Sequence, residues 1–525
     1  MRRASPFIGI LVFLLFLLFL CLNRISIYPY LSFSDSAKFA DIARNLVNGN
    51  GYNSNFSNFA SEGLGLAQPV TVSRWVPPAM PLAIAGIFKL FRTSDLSVIA
   101  TSSSFYLLLI LTTYLLGKRL FGNLVGLLAA IAVAFNPNFL DYAVSGASET
   151  LFAFEIVLAA YLFILGKKRA NVFGFLVLIL MYFTRAQAII YIFGFLLLFF
   201  LLNFPIKKAL SYFSVAFVLG SAIYLLFSKQ GLFAVTQHLP GVASSDALRG
   251  GTLEAGILPI SKKIFYNLYN FYRLLPQIMS PYLWALFIIG LFKWGKDRVE
   301  NSFKIATIFM VAVTFLAAAL TIPFFRYLHP VVPLVYIFAT TTLLWILGQI
   351  VRKEKKLVII SSFLIFIFVV GQTLGIIFLD SRFITKTVNK RKPPVYVVLS
   401  RVLKENTTPD SVVVTNLDTW GSWYGERKTI WFPLEPKQLI GPKTGKIPFD
   451  AIYLTSYLID DENYYMGPEW RQIFENPKDP MKWVCNGCDE IAKEFTLKDV
   501  YKVAASDDYE KQGASAILLI KKHGE

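Results

Sequence analysis

The chain has 525 residues, of which 55% are hydrophobic and 16% charged, and a formal net charge of +18. Soluble domains carry about 25% charged residues, so this composition excludes an ordinary water-soluble enzyme and points to lipid as the solvent. Nucleic acid is excluded as the cause of the positive charge, because Lys and Arg sit in short clusters between apolar runs, where the positive-inside rule puts them.

Arg2 and Arg3 precede an uncharged apolar run over 6–22, and no small-residue cleavage site follows it. It is read as an uncleaved first span, with the N-terminus cytoplasmic. Residues 34–52 (SDSAKFADIARNLVNGNGY) come next. Ser34 is the expected N-cap, and Phe39, Ile42, Ala43 and Leu46 share one face of a helix over 35–48, which the Asn-Gly repeats at 48–51 end. Residues 77–91 are apolar but short, open on two prolines and carry Lys89. They read as an interfacial or re-entrant segment. Only then do Arg2–Arg3, Lys118–Arg119, Lys167–Arg169, Lys207–Lys208, Lys293–Arg298 and Arg352–Lys356 fall on one side. Eleven spans result, at 7–24, 95–117, 121–139, 148–166, 171–184, 186–203, 208–228, 276–293, 303–322, 327–350 and 356–380. By parity the tail beyond 380 is extracytoplasmic.

That tail is polar, with strand-like runs at 411–415, 450–454 and 515–520 separated by helical stretches. The expected fold class is therefore an α-helical polytopic membrane protein of about eleven spans with a C-terminal extracytoplasmic α/β domain. The membrane domain takes 1–380, with an external loop 25–94 carrying interfacial helices, and the soluble domain takes 381–525. Cys485 and Cys488 form one C-x-x-C, too few thiols for a four-thiolate zinc site. A tight disulfide or a free pair is expected there.

Ionisable residues are scarce inside the spans, Glu155 being an exception, and gather at the external surface. Asp35 starts the amphipathic helix there. Helix capping would account for it, and so would a carboxylate base whose pKa is raised near apolar surface. Glu149 opens the fourth span, with Asp141 a nearby competitor; a macrodipole partner or a functional acid fits the position. Arg185, in a tight external turn, and Arg326, at the start of the tenth span, are candidate phosphate ligands, because a guanidinium fork matches phosphate geometry. Snorkelling would explain them equally. Arg74 and Lys38 are weaker candidates, and a lone interfacial His329 reads as structural. No Gly-rich phosphate loop or D-x-D motif stands out. Neither a metal nor a cofactor is expected.

The pattern Asp35, Lys38, Phe39, Ala40, Asp41, Ile42, Ala43, Arg44 resembles the first external loop of the bacterial aminoarabinose transferases and protein O-mannosyltransferase-like enzymes of the GT-C superfamily. The family's Asp-Glu pair is Asp35–Ser36 here, so its second acid is lost. Pro77, Pro78 and Leu82, the stretch 117–135, Glu149 after Asn136–Pro137, FFRYLHPVVPL at 324–334 and residues 411–436 resemble further family elements in the same order. The resemblance implies transfer of a sugar from a polyprenyl-phosphate donor on the extracytoplasmic face of the cell membrane. It implies Asp35 as general base, Glu149 as a second site acid, and the arginines on the departing lipid phosphate. The partners are then the lipid-linked donor, membrane lipid and an acceptor that is protein, lipid or glycan. Trp423–Tyr424–Gly425 echoes an oligosaccharyltransferase motif, and a non-catalytic transporter is the alternative from another class. Residues 229–275, with an aromatic run at 265–272, suit a cover over the site.

Overall fold

A computed structural model describes residues 6–58, 76–227, 257–295, 297–321, 323–379, 393–440, 449–460, 464–504 and 514–522. Hydrocarbon offers no partner to backbone N–H and C=O groups, so the apolar runs close their hydrogen bonds within themselves as helices. These are α1 (Pro6–Ile27), α4 (Asp95–Phe121), α5 (Asn123–Ala134), α6 (Pro137–Ala143), α7 (Glu149–Ile164), α8 (Lys168–Tyr182), α9 (Ala188–Asn203), α10 (Ile206–Phe227), α12 (Pro281–Leu291), α13 (Arg298–Leu320), α14 (Val332–Ile350) and α15 (Glu354–Leu379). Between them lie α2 (Ser34–Val47), α3 (Ala79–Leu90) and α11 (Ile257–Arg273).

Helices stand at each expected span, but their lengths differ from the expectation. Among the described residues six are long and apolar enough to cross a membrane, or seven if α5 and α6 form one span bent by 67°. The others are shorter; α7 has 16 residues and α8 15, about 24 and 22 Å at 1.5 Å per residue. α7 is buried along most of its length, so its limits are set by protein neighbours and not by bilayer thickness.

The α5–α6 bend is written locally. Asn136 caps α6 by accepting from the N–H groups of Asn138 and Phe139, and Pro137 occupies the first helical position. Tyr142 and Phe139 of α6 are buried, and Ser102 and Ser103 of α4 both donate to the carbonyl of Ala143. Small residues let α4 and α5 approach: a Cβ at Gly126 would stand 2.5 Å from the Tyr114 carbonyl.

The C-terminal part contains α16 (Val395–Asn406), β2 (Val412–Thr415), α17 (Trp420–Trp423), β3 (Lys428–Trp431), β4 (Ala451–Thr455), α18 (Pro468–Glu475), α19 (Cys488–Glu494), β5 (Phe495–Val503) and β6 (Ala514–Lys521). Its sheet has the order β1-β3-β2-β4-β6-β5, and β1 (Phe56–Asn58) comes from the external loop after α2. β1, β3, β2 and β4 run parallel; β6 pairs antiparallel with β4 and β5. α16 covers one face through Leu399 and Leu403, while Phe432, Trp470 and Ile491 fill the other. Cys485 and Cys488 are disulfide-bonded.

Hydrogen bonds seat this part on the membrane helices. Asp95, at the start of α4, accepts from Trp423 Nε1 and from the Tyr424 hydroxyl, each at 2.7 Å. Arg44 of α2 donates to the carbonyls of Ser422 and Trp423. Ser34 is not the N-cap expected of it: α2 begins at Ser34 and Phe33 holds the cap position without a side-chain bond. The Ser34 carbonyl accepts from the Thr419 hydroxyl of the C-terminal part.

Candidate functional site

A cavity of about 1310 Å³ opens where α1, α2, α6 and the turns before α9 and α14 meet the C-terminal sheet. Leu20 and Cys21 of α1 and Ile376 of α15 give it an apolar stretch of wall, Arg24 of α1 lines it too, and Asp418, Thr419 and Tyr464 line it from the C-terminal part.

Asp35 enters this cavity from the first turn of α2, its side chain 47% exposed. Its Oδ2 lies 2.6 Å from Arg326 Nη1. Burial pushes the Asp35 carboxyl up, but the charges of Arg326, Arg185 and Lys38 outweigh burial and hold it below the usual aspartate value. The raised pKa expected from the sequence is thereby corrected. The cations that gather round the carboxylate were visible in the sequence individually, but not as neighbours. Arg326 sits in a single 3-10 turn, Phe325–Tyr327, with its guanidinium 5.5 Å from the Phe324 ring and 5.6 Å from that of Tyr327. A short aromatic cradle of this kind holds a planar cation in place while leaving its edge open.

Glu149 begins α7 and is 4% exposed. Its Oε1 makes an ion pair with Arg185 at 2.7 Å. Arg185 also donates to Ser148 Oγ at 3.0 Å and lies over the Tyr327 ring. The second acid and the second arginine are thus brought together, and Tyr327 stands beneath both arginines. Lys38 also lines the cavity, with its amine 5.2 Å from the Phe56 ring centroid. Arg74 lies outside the described residues, as does most of the suggested cover over 229–275. Asp141 lines the same cavity.

Two tempting residues have structural partners. His329 Nε2 lies 3.0 Å from the Gln277 carbonyl, and Nδ1 2.6 Å from the Tyr142 hydroxyl. A carbonyl only accepts, so Nε2 carries hydrogen and, in the neutral ring, Nδ1 accepts. Glu155 accepts from Thr184 Oγ1 at 2.9 Å beneath the Arg185 turn.

The remaining motif residues of α2 act elsewhere. Asp41 is fully buried, pairs with Arg44 at 2.7 Å and accepts from the side chain and backbone of Asn55. That network fixes the loop that becomes β1. Sequence reasoning missed Asp418, Thr419, Trp431 and Tyr464, all of which line the cavity from the C-terminal part. The signal for Asp418 is slight: a single acid in NLDTW, with no periodicity to mark it. Among the described residues no group of three or more His, Cys, Asp or Glu side chains is placed to hold a metal ion.

Residues 75–230 match the family model described as dolichyl-phosphate-mannose-protein mannosyltransferase. No curated protein matches the sequence. Among solved structures, the apo oligosaccharyltransferase of Archaeoglobus fulgidus aligns over 96% of this chain and 74% of its own, at TM-score 0.54 and 13% identity. The oligosaccharyltransferase AglB of Archaeoglobus fulgidus, in complex with an inhibitory peptide and a dolichol-phosphate, aligns over 97% and 76%, at TM-score 0.52 and 13% identity. Apo ArnT from Cupriavidus metallidurans aligns over 98% of both chains, at TM-score 0.48 and 11% identity. At these identities the solved structures speak for the fold alone. The chain is an integral membrane protein with the fold of the GT-C glycosyltransferases.

Proposed function

We propose that this protein is a membrane glycosyltransferase that moves a sugar from a polyprenyl-phosphate donor to an acceptor at the extracytoplasmic surface. The observation that carries the reading is the placement of two arginines on one cavity, Arg326 paired there with Asp35 and Arg185 backed by the buried Glu149, with apolar side chains of α1 and α15 on the same wall. A lipid-linked sugar needs both surfaces. Its isoprenoid chain favours the apolar wall, and its phosphate favours guanidinium groups. The family description of residues 75–230 makes dolichyl-phosphate mannose the first donor to test.

In the reaction, the acceptor's nucleophilic atom forms a bond to the anomeric carbon as the bond from that carbon to the phosphate oxygen breaks. The electron pair stays on the phosphate, whose charge Arg326 and Arg185 meet. Arg326 is 28% exposed on its side chain and shares its charge with Asp35, so an entering phosphate competes directly for it. Asp35 accepts a hydrogen bond from the acceptor and orients it, its charge retained by the surrounding cations. Glu149 is a positioning residue: buried behind Arg185, it aims that guanidinium at the cavity. The reading calls on neither a metal nor a cofactor. In this reading the C-terminal part, domain 381–525, lies outside the cell membrane and the N-terminus in the cytoplasm, an orientation supported by the charge clusters.

The test uses the purified full chain in lipid, radiolabelled dolichyl-phosphate mannose and other polyprenyl-phosphate sugars, with Ser/Thr peptides and glycans as acceptors. Transfer by the wild type that disappears in Arg326→Ala supports the reading. Turnover of a lipid-linked oligosaccharide alone would favour oligosaccharyltransferase chemistry. Lipid binding without turnover of any donor would leave a lipid-handling protein.

A further inference from the structure

The reaction above releases a proton from the acceptor, and Asp35, ringed by cations, is poorly suited to take it. Another carboxylate, that of Asp418, lines the same cavity from the C-terminal part. Resting on the proposed sugar transfer, we propose that Asp418 is its general base, receiving the acceptor's proton while Asp35 stays ionised beside Arg326.

Asp418 lies in the turn between β2 and α17 with φ 56°, in the left-handed region that Asp tolerates better than most residues. It is 9% exposed and opens on the cavity. Tyr464 donates to its Oδ2 at 2.8 Å and the Thr419 N–H to its Oδ1 at 2.7 Å. These donors are neutral. Each carboxylate oxygen has two lone-pair directions, so these two bonds leave room for one from an acceptor hydroxyl or amine.

The two acids sit in opposite surroundings. Asp35 faces Arg326, Arg185 and Lys38, which hold its proton affinity down. Burial raises that of Asp418, the Tyr464 and Thr419 bonds lower it, and the negative charge of Asp35 raises it again, for a net rise. Paired carboxylates pushed apart in this way divide into the one that stays charged and the one that moves a proton. A base also works best with its pKa nearer the operating pH. The balance is simple: the acceptor's X–H bond breaks, its proton passes to Asp418 to give the neutral acid, and the phosphate leaves with its electron pair. Water then takes the proton from Asp418.

The experiment measures kcat against pH, with dolichyl-phosphate mannose as donor and a Ser/Thr peptide or glycan acceptor that the wild type uses. Binding of polyprenyl phosphate reports an intact donor site. Asp418→Asn is expected to lower kcat about 100-fold or more, while polyprenyl phosphate binding changes less than about twofold. The wild type should lose activity on the acid side as Asp418 protonates. Tyr464→Phe removes a bond that favours the carboxylate, so its acid limb should move to higher pH. A kcat within about threefold of wild type in Asp418→Asn would overturn the proposal. So would a Tyr464→Phe enzyme whose kcat falls while its acid limb stays in place, the result expected of packing alone. If Asp418→Asn fails to fold, the Tyr464→Phe profile decides. No turnover by the wild type with any donor overturns the sugar-transfer reading, a failure distinct from one confined to these variants.

Discussion

Replacing Glu149 with Gln keeps the shape of the α7 start and removes one charge. Breaking a buried ion pair from one side costs about 3–5 kcal/mol, because the other charge is left uncompensated. The low end applies here. Arg185 keeps its bond to Ser148 and its place over Tyr327, and its side chain is 12% exposed toward the cavity. A loss of about 3 kcal/mol is therefore expected. The same vacancy of charge makes Arg185 a stronger anion site. Ligand stabilises both proteins by linkage, and binding about tenfold tighter to the variant closes about 1.4 kcal/mol of the gap, so polyprenyl phosphate should restore part of what the substitution removes. The assay is thermal unfolding of the wild type and Glu149→Gln, with and without polyprenyl phosphate and with a neutral polyprenol as control. The expected outcome is a large drop in the melting temperature relative to the wild type, a gap that polyprenyl phosphate narrows and polyprenol does not. An equal gap between the two proteins in both conditions would refute the reasoning, since Arg185 would then face no phosphate.

Arg326→Ala should weaken polyprenyl phosphate binding about tenfold or more, the worth of one charge-assisted bond. Asp35→Asn should abolish transfer while binding polyprenyl phosphate at least as tightly as the wild type, because Arg326 loses its competitor; isothermal titration reads both. Asp95→Ala removes the acceptor of the Trp423 and Tyr424 bonds and should speed hydrogen exchange across 412–431, with exchange unchanged in α14. Asp35 has a folded-state pKa below its unfolded value. Its contribution to stability is thus present above the ordinary aspartate range and lost as pH falls through the lower folded value. Acid should destabilise the wild type more than Asp35→Asn, and parallel acid melting curves would remove that assignment.

The helices were legible because hydrocarbon leaves an apolar run no other structure, and α2 because its apolar positions recur at helical spacing. Strands at 411–415, 450–454 and 515–520 were legible as short apolar runs, and β2, β4 and β6 stand there. β1 was not, since three residues give no alternation to read and its partner β3 lies far along the chain. The same distance hid half of the site. Asp35, Glu149, Arg185 and Arg326 each stood out as a charge at the edge of an apolar run, yet their pairing comes from packing of helices distant in sequence. Asp418 stood in a polar segment, where one more acid attracts no notice. The Ser34 assignment failed by one residue: a serine before a helix usually caps it, but here Ser34 is the first helical residue and its carbonyl takes a bond from Thr419.

Those distant contacts also decide which part of the fold holds each residue of the candidate site. α2 is tied to the C-terminal part by Arg44 on Ser422 and Trp423, by Thr419 on the Ser34 carbonyl, and by Asp41 on Asn55 at the entry to β1. Arg326 is fixed instead between α13 and α14, over Phe324 and Tyr327. The Asp35–Arg326 pair is therefore a link between the sheet and the membrane helices, and it lies where a donor phosphate would compete for the arginine. A partly exposed ion pair contributes little to stability, so yielding the arginine costs the fold little. Asp35 then keeps the charges of Arg185 and Lys38, and the Thr419 bond to the Ser34 carbonyl holds the proposed acceptor-orienting acid next to the proposed proton acceptor.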